Sequence, residues 1–313
     1  MTTLITGAAG FVGRHLVPLA AADGPVVGWY RPGHEAPAWP GVTWRAVELR
    51  DRVAVADAVD ADRPDAIYHL AGVAHVGDSW AQAEDTLASN VVGTAHLFDA
   101  LAALELTPRV VVTGSATVYR ASSAALTEDA PVAPNTPYGS SKLAQEMVAL
   151  AAWRTDGIPA IVTRSFNHIG PGQSPAFAAA SFARQLAAIE AGLADPVMAV
   201  GNLAAARDVT DVRDTVRAYA ALMARGRPGE RYNVCSGRAV PVQALLDGLR
   251  SRVRVPVDVV VDPARMRPVD TPVVLGSHAR LTADTGWQPV VSLDETLDAL
   301  LDSWREAFRS GHA

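Results

Sequence analysis

Near its start the chain reads Thr3-Leu4-Ile5-Thr6-Gly7-Ala8-Ala9-Gly10-Phe11-Val12-Gly13. Residues 3–6 predict a short buried strand, and the glycines follow where that strand turns into a helix. Gly7 permits a tight turn, Gly10 lets the backbone approach a pyrophosphate, and Gly13 lets the helix pack closely on the strand. The N-terminus of that helix, at Phe11 and Val12, faces the anion. The junction therefore predicts a dinucleotide-binding site.

Short apolar runs alternate with longer helical patterns through the first half of the chain. This alternation predicts right-handed βαβ units and a parallel sheet with helices on both faces. The predicted strands are Thr3–Thr6, Val26–Tyr30, Val42–Val47, Ala66–Leu70, Arg109–Thr113 and Pro159–Thr163, and the predicted helices between them are Gly10–Ala22, Arg52–Ala61, Glu84–Leu106 and Tyr138–Asp156. The expected fold is α/β, a Rossmann-type doubly wound parallel sheet with a smaller, mixed α/β substrate-binding lobe.

The second half of the chain is less regular. We expect residues 1–165 to form the dinucleotide-binding domain, with 208–235 returning to it. Residues 166–207 and 236–313 would then form the substrate-binding lobe. Ser292 and Glu295 have the spacing of a capping box, which predicts where the last helix begins. We expect Trp287 to pack in the core of this second lobe.

Composition excludes several classes of protein. The 313 residues are 49% hydrophobic and carry a net charge of −6, which excludes a disordered chain and a nucleic-acid partner held by a basic face. The single Cys235 and the dispersed histidines predict neither a disulfide nor a metal site. No apolar run reaches the roughly 18 residues of a membrane span, and the N-terminus does not resemble a signal peptide, so we expect a cytoplasmic protein.

The end of the second strand indicates which cofactor binds. An acidic residue there would bond the ribose 2′-hydroxyl of NAD, whereas this strand ends Gly28-Trp29-Tyr30-Arg31. Arg31 can pair with a 2′-phosphate, which favours NADP(H) over NAD(H). The alternative is a solvated surface arginine. Glu48 and Leu49, after the third strand, are predicted to flank the adenine.

Two further features indicate catalysis. Tyr138 and Lys142 are four residues apart, so both side chains lie on one helix face. A nearby ammonium lowers the pKa of a phenol, which otherwise titrates near ~10. Ser115 follows the strand Arg109–Thr113, at the carboxyl end where a parallel sheet binds its ligand. Each feature alone is a weak indication of catalysis. The glycine loop, a serine after a later strand and the Tyr/Lys pair on a helix rarely occur together by chance.

These residues resemble the extended short-chain dehydrogenase/reductases, a family of sugar-nucleotide epimerases, dehydratases and reductases. The resemblance also includes His69-Leu70-Ala71-Gly72, Asn90, Arg164-Ser165-Phe166-Asn167, Arg207-Asp208-Val209 and Gly286-Trp287-Gln288-Pro289. It implies a catalytic set of Ser115, Tyr138 and Lys142, a nucleotide-sugar substrate, and a homodimer formed by paired helices. It also implies that the cofactor contacts Leu70, Ala71, Gly72, Asn90 and His168.

Several segments are most similar to the GDP-mannose branch of this family. They are Val76-Gly77-Asp78-Ser79-Trp80, the loop 166–174, Gly201-Asn202-Leu203 and Arg265-Met266-Arg267-Pro268. The stretch 232–237 is most like the GDP-6-deoxy-4-keto-D-mannose reductases. The resemblance implies that the substrate, a GDP sugar, contacts Ser79, Asn167, Arg184, Asn202, Arg207 and Arg267.

The chemistry separates the branches. A 4,6-dehydratase needs a base to remove the C5 proton, and dehydratases of the family carry one directly after the catalytic serine or threonine. Here those positions are Ala116 and Thr117, which are unfit to act as a base. This leaves a hydride-transfer enzyme, a 4-reductase or a 4-epimerase. Of these, the resemblance implies NADPH-dependent reduction of the C4 keto group of a GDP-4-keto-6-deoxy-hexose, giving GDP-D-rhamnose or its C4 epimer.

In the expected mechanism Tyr138 donates a proton to the C4 oxygen, Lys142 lowers the pKa of Tyr138, and Ser115 bonds the same oxygen. The alternative is a nucleotide-sugar 4-epimerase that retains its dinucleotide, since Ala116-Thr117 also resembles the UDP-hexose 4-epimerases. A GDP-mannose 4,6-dehydratase and a non-catalytic NADP-sensing protein are weaker alternatives.

Overall fold

The computed structural model describes residues 1–74, 77–266 and 271–311. Its strands are β1 (Thr3–Thr6), β2 (Val26–Tyr30), β3 (Val42–Ala46), β4 (Ala66–His69), β5 (Arg109–Ser115), β6 (Ala160–Ser165), β7 (Asn167–Ile169), β8 (Val197–Val200), β9 (Ala206–Asp211), β10 (Arg231–Val234), β11 (Ala239–Pro241), β12 (Asp258–Val261) and β13 (Val273–Val274). Its helices are α1 (Phe11–Ala21), α2 (Arg52–Asp62), α3 (Ala83–Leu87), α4 (Gly93–Ala103), α5 (Pro137–Asp156), α6 (Ala178–Glu190), α7 (Val212–Arg225), α8 (Val242–Arg250), α9 (Ala279–Thr285) and α10 (Leu293–Arg309).

A large parallel sheet forms the centre of the described part of the chain. Seven strands lie in the order β10-β6-β5-β4-β1-β2-β3. The strand order reverses between β1 and β4, because the chain leaves β1 towards β2 on one side and returns to β4 on the other. Ligands bind beyond the carboxyl ends of the strands at such a reversal. The predicted α/β, Rossmann-type sheet is confirmed.

Helices cover both faces of this sheet, which explains its near-continuous apolar strands. Leu4, Val110 and Val112 point into a core with α2, α4 and α5. Their neighbours Ile5 and Val111 point to the opposite core, which includes residues of α1 and α7. Burial on both faces is typical of parallel sheets and distinguishes these strands from half-exposed antiparallel ones.

The rest of the described chain builds a smaller unit beside the large sheet. In it β9 pairs with β7, β11 and β13, while β8 pairs with β12. Its core joins α6, α8 and α10. The capping box of Ser292 and Glu295 is present at the start of α10, as predicted. The predicted position of Trp287 is wrong, because its ring packs with the α1 and α7 side of the large sheet and its indole N–H donates to Asp214 O.

The other differences from the predicted elements are local. The helix predicted over Glu84–Leu106 is α3 and α4 joined by a π-helical turn, Ala88–Val92. The predicted loop after residue 166 contains the short strand β7. Arg231–Val234 joins the large sheet, whereas β9 joins the smaller one; the predicted domain division stays a prediction. Among the described residues, none of the helices has the length and apolarity that crossing a membrane requires.

Candidate active site

A single continuous cleft of about 1630 Å³ runs from the carboxyl ends of β1 and β4 to the smaller unit. Most of the residues predicted for the site line it. They are Gly7, Gly10, Phe11, Val12, Gly13, Arg31, Glu48, Leu49, Leu70, Ala71, Gly72, Ser115, Tyr138, Asn167, His168, Asn202 and Arg207. Ser79, Asn90, Lys142 and Arg184 are not among its lining residues, and Arg267 lies outside the described residues.

The glycine loop forms a cradle that side chains would fill. Gly7 has φ +68°, and a Cβ there would lie 2.9 Å from the backbone of Ala71. A Cβ on Gly13 would lie 2.4 Å from Ala8 O, so the helix could not approach the strand. The α1 helix begins directly after Gly10, which leaves the first N–H groups of the helix facing the cleft without a side-chain cap. This loop therefore fits the pyrophosphate of a dinucleotide.

Arg31 lies at the end of this cradle, after β2. Its Nε is 3.8 Å from Glu48 Oε2, and its side chain is 66% exposed. Arg50 also bonds Glu48, at 3.3 Å, and Asp85, at 3.1 Å. The Arg31 guanidinium is thus held at the cleft by a loose ion pair and remains accessible to an anion such as a ribose 2′-phosphate.

Ser115 is the last residue of β5, and it lines the cleft. Its oxygen accepts hydrogen bonds from the Thr117 hydroxyl at 2.9 Å and from the Thr117 backbone N–H at 3.2 Å. Because both acceptor positions are filled, the Ser115 hydroxyl can act only as a donor, and its bond to the phenol of Tyr138 is one that Ser115 donates. Ser115 also bonds the phenol of Tyr138, an interaction that opposes the rise in the pKa of Tyr138.

Tyr138 lies in the first turn of α5, which begins with Thr136 as N-cap and Pro137. Burial raises the pKa of Tyr138 to about 12, and Ser115 only partly offsets this effect. The net shift is upward because burial outweighs the opposing effects, and the predicted lowering of this pKa by Lys142 stays a prediction. The ammonium lies 6.0 Å from the centroid of the Tyr138 ring and donates to other groups. Tyr138 is therefore a neutral phenol, suited to donating a proton.

Lys142 lies one turn further along α5, behind the cleft wall. Its Nζ donates to Thr113 O at 3.0 Å and to Gln145 Oε1 at 2.8 Å. Burial lowers the pKa of Lys142 to about 8. Lys142 is also the only lysine in the sequence, in which every other basic side chain apart from histidine is arginine. An ammonium that titrates near neutral pH is one property that arginine cannot supply.

Asn90 and Ser79 support the catalytic helix from outside the cleft wall. The Asn90 amide oxygen accepts from Val73 N at 2.8 Å, and its nitrogen donates to Ser141 Oγ at 2.9 Å. The backbone N–H of Tyr138 donates to Ser79 Oγ at 3.3 Å. These contacts give both side chains structural partners beside Tyr138.

His168, in β7, connects that strand to the glycine cradle. Its ring stacks on Phe11 with centroids 5.9 Å apart, and Nδ1 donates to Phe166 O at 3.1 Å. Because a carbonyl can only accept, Nδ1 carries the proton, and Nε2 is an acceptor in the neutral ring. Burial lowers the pKa of His168, which keeps the ring neutral.

The far end of the cleft contains the predicted substrate residues of the smaller unit. Arg207 donates to Ala206 O and Thr271 O, and Asn202 Oδ1 accepts from Ala204 N. Asn167 begins β7. Arg184 lies elsewhere, with its guanidinium 5.9 Å from the Trp304 ring centroid, which argues against the predicted contact with substrate.

Arg265 lines the cleft, although the sequence patterns do not assign it to the site. It bonds Ser181 Oγ at 3.3 Å and pairs with Asp262 at 3.4 Å. The sequence feature that could have indicated Arg265 is the segment Arg265-Met266-Arg267-Pro268, in which the resemblance implied Arg267 as the substrate contact. In the described part of the chain, no group of three or more His, Cys, Asp or Glu side chains is arranged to hold a metal ion.

The GDP-mannose 4,6 dehydratase family matches this chain over residues 4–300. The chain belongs to this family. Proteins similar to this chain are named for different reactions. GDP-6-deoxy-D-mannose reductase of Pseudomonas aeruginosa is 37% identical over 97% of this chain and 97% of that protein. UDP-glucose 4-epimerase of Mycolicibacterium smegmatis is 30% identical over 97% of this chain and 99% of its own length.

A solved structure of the same family has the same overall fold. RMD from Pseudomonas aeruginosa, complexed with NADPH, superposes with a TM-score of 0.86 at 34% identity. The match covers 97% of this chain and 99% of that one. The resemblance to the extended short-chain dehydrogenase/reductases is therefore confirmed, while membership of the GDP-mannose 4,6 dehydratase family alone does not determine which reaction a member performs.

Proposed function

We propose that the protein reduces the C4 keto group of a GDP-4-keto-6-deoxy-hexose with NADPH, giving GDP-6-deoxy-D-mannose or its C4 epimer. One observation carries this proposal. A neutral phenol and a serine hydroxyl face one cleft, and the positions after that serine, Ala116 and Thr117, provide no base for a dehydration. The reductase of Pseudomonas aeruginosa, matched over nearly the whole chain, supports the same reaction.

NADP(H) is the cofactor of this proposal, preferred over NAD(H). The glycine cradle would hold its pyrophosphate, and Arg31 would pair with the 2′-phosphate. The NADPH complex of the Pseudomonas structure supports this choice. When bound, NADPH supplies the hydride that reaches C4.

The side chains of this protein supply the proton and hold the charge. Tyr138 donates its phenolic proton to the C4 oxygen as that oxygen becomes an alkoxide. Ser115, whose oxygen accepts from Thr117, donates to the same oxygen and stabilises the developing charge. Lys142 provides a positive charge beside Tyr138. Tyr138 is protonated before the reaction, as a proton donor requires.

The smaller unit would bind the rest of the substrate. Asn167, Asn202 and Arg207 line this part of the cleft and form part of the proposed site, to which we add Arg265. Two guanidinium groups can each bond two oxygens of a diphosphate. The predicted role of Arg267 stays a prediction.

A homodimer and a cytoplasmic location complete the proposal. On the helical face of α3, the π-helical turn and α5, Leu87, Val92 and Met147 are 43%, 44% and 62% exposed. Pairing of this face with a second copy would remove the apolar side chains from water. The location rests on the sequence prediction alone.

A nucleotide-sugar 4-epimerase is the second candidate. The Ala116-Thr117 pair and the relative of Mycolicibacterium smegmatis favour it. An epimerase regenerates its dinucleotide in each cycle, whereas a reductase consumes NADPH in proportion to product.

The test is NADPH consumption with GDP-4-keto-6-deoxy-mannose made by a separate dehydratase, with dTDP-4-keto-6-deoxy-glucose as control. We expect oxidation with the GDP sugar only, and its loss in Tyr138→Phe. An absence of oxidation with either sugar, together with a tightly bound dinucleotide after purification, would contradict the reductase and support the epimerase.

A further inference from the structure

The ammonium of Lys142 is held by a buried neutral side chain, Gln145, on the same helix. Lys142 Nζ donates to Gln145 Oε1 at 2.8 Å, and Gln145 is 0% exposed. The other acceptor of the ammonium is a backbone oxygen, Thr113 O. Gln145 lies three residues beyond the lysine and is therefore outside the Tyr-x-x-x-Lys pattern that predicted the catalytic pair.

The orientation of the Gln145 amide follows from the groups behind it. The Thr94 hydroxyl has one proton, which it donates to Asn90 O at 2.7 Å. Thr94 Oγ1 must then accept from both Gln145 Nε2, at 2.9 Å, and His69 Nε2, at 2.8 Å. The amide nitrogen of Gln145 therefore faces Thr94, and its carbonyl oxygen faces the ammonium.

The same chain of bonds continues to the cofactor side of the sheet. His69 Nδ1 accepts from the Thr6 hydroxyl at 2.8 Å, and Thr6 Oγ1 accepts from Ala71 N–H at 3.2 Å. Burial, together with the charge of Lys142, lowers the pKa of His69 to about 3, so the ring stays neutral. Each donor in this series of hydrogen bonds thus has a fixed acceptor. If the Gln145 amide flipped, its nitrogen would face the Lys142 ammonium, and two donors would lie against each other.

The nearby carboxylate does not perform this task. Glu146, the next residue, bonds Arg164 at 2.8 and 2.9 Å and also pairs with Arg231. In the described structure, the titratable side chains that face Lys142 or Tyr138 are His69 from β4 and Tyr219 from α7, besides the pair itself. None of them is an anion at neutral pH, so the Gln145 carbonyl is the side-chain acceptor of the ammonium.

We propose that Gln145 is a positioning residue that keeps Lys142 protonated and fixed beside Tyr138. The proposal rests on the proposed function, since it assumes that the Lys142 charge serves the reaction. If Gln145 served only to maintain the structure, a different change in the pKa of Lys142 would be expected. Any substitution would then loosen the site, admit water and raise the pKa of Lys142 towards that of an exposed lysine.

The single lysine makes this difference measurable without substrate. Lysine labelled with ¹³C and ¹⁵N at the side-chain terminus yields one set of signals from the protein, those of Lys142, and their pH titration gives its pKa by NMR. We expect Gln145→Leu to lower this pKa by about one unit, because an acceptor for the charged form is lost. We expect Gln145→Glu to raise it by about one to three units, because a carboxylate favours the ammonium.

A matched control is Gln185→Leu, which removes a part-buried glutamine that bonds Ala199 in the smaller unit. It should leave the lysine signal unchanged. Thermal melting checks that each variant folds, and Gln145→Met replaces the leucine variant if that one does not. Shifts of the same sign in the apolar and the Glu variants, or no shift in either, would overturn the proposal.

The pH profile of kcat/KM separates this proposal from the proposed function. Its alkaline limb should move in the same two directions as the NMR pKa. If the NMR shifts occur and no reduction is found in any variant, the positioning role of Gln145 stands and the reductase proposal fails.

Discussion

Thr117 donates its hydroxyl proton to Ser115 Oγ at 2.9 Å, at a position where a dehydratase would need a proton acceptor. In this protein the Thr117 side chain therefore orients the Ser115 hydroxyl. Together with the Thr117 N–H, it occupies the acceptor positions of Ser115, so the serine proton points to the Tyr138 phenol here and to the substrate oxygen in the proposed reaction.

Removing the Thr117 hydroxyl should therefore slow reduction without affecting cofactor binding. We expect Thr117→Val to lower kcat roughly tenfold, because a misdirected Ser115 weakens the stabilisation of the alkoxide. Thr117→Ser keeps the hydroxyl and should retain most of the activity. Steady-state kinetics with NADPH titrations check this, and equal rates in the Val and Ser variants would contradict the orienting role.

Arg31 should decide between the two dinucleotides. Loss of a charge-assisted bond to the 2′-phosphate costs about 1.5–3 kcal/mol, so Arg31→Ala should raise the Kd of NADPH roughly ten- to hundredfold. The Kd of NADH should change little. Arg52→Ala is a matched control, because Arg52 is an exposed arginine paired with Asp99 outside the cleft. Fluorescence titrations measure both constants, and equal weakening of NADPH and NADH would count against this role.

Arg265 and Arg184 should differ in their effect on substrate. Arg265 lines the cleft, whereas Arg184 lies over the Trp304 ring. We expect Arg265→Ala to raise the KM for the nucleotide sugar about tenfold or more, since a phosphate would lose a guanidinium partner. Arg184→Ala should leave KM within about twofold. The reverse order of effects would restore the role that the sequence suggested for Arg184.

Reduction should slow as the pH rises through about 8. Burial lowers the pKa of Lys142 to about 8, so the ammonium is lost above that pH, while Tyr138 stays protonated because its pKa is raised to about 12. The profile of kcat/KM, which reports the free enzyme, should fall on its alkaline side with a midpoint near the pKa of Lys142. Lys142→Arg keeps a permanent charge and should lack this limb. A limb that persists in that variant would belong to another group.

The large sheet was predictable because its strands are continuous apolar runs with glycines at the first turn. Strands such as β7, three residues long, were not, because they form only where distant segments pair. The helix predicted over residues 84–106 contains a π-helical turn at Asn90 that the sequence pattern does not reveal. The Asn90 side chain forms tertiary hydrogen bonds with Val73 and Ser141 at this turn.

The catalytic set could be proposed from motifs, whereas its electrostatics could not. The spacing of Tyr138 and Lys142 suggested a lowered phenol pKa, but the depth of burial, which no spacing reveals, has the larger effect and raises it. Gln145, Thr94 and His69 come from three separate segments, so the series of hydrogen bonds that runs from Lys142 through Gln145 and Thr94 to His69 appears only in the folded chain.

The most direct test of the proposed reaction follows the hydrogen that reaches C4. The enzyme would be incubated with GDP-4-keto-6-deoxy-mannose and NADPH deuterated at both positions of nicotinamide C4, and the product examined by NMR and mass spectrometry. We predict one deuterium at sugar C4 and one NADP⁺ released per product, both absent in Tyr138→Phe. A product without deuterium, or turnover without net oxidation of the dinucleotide, would contradict it.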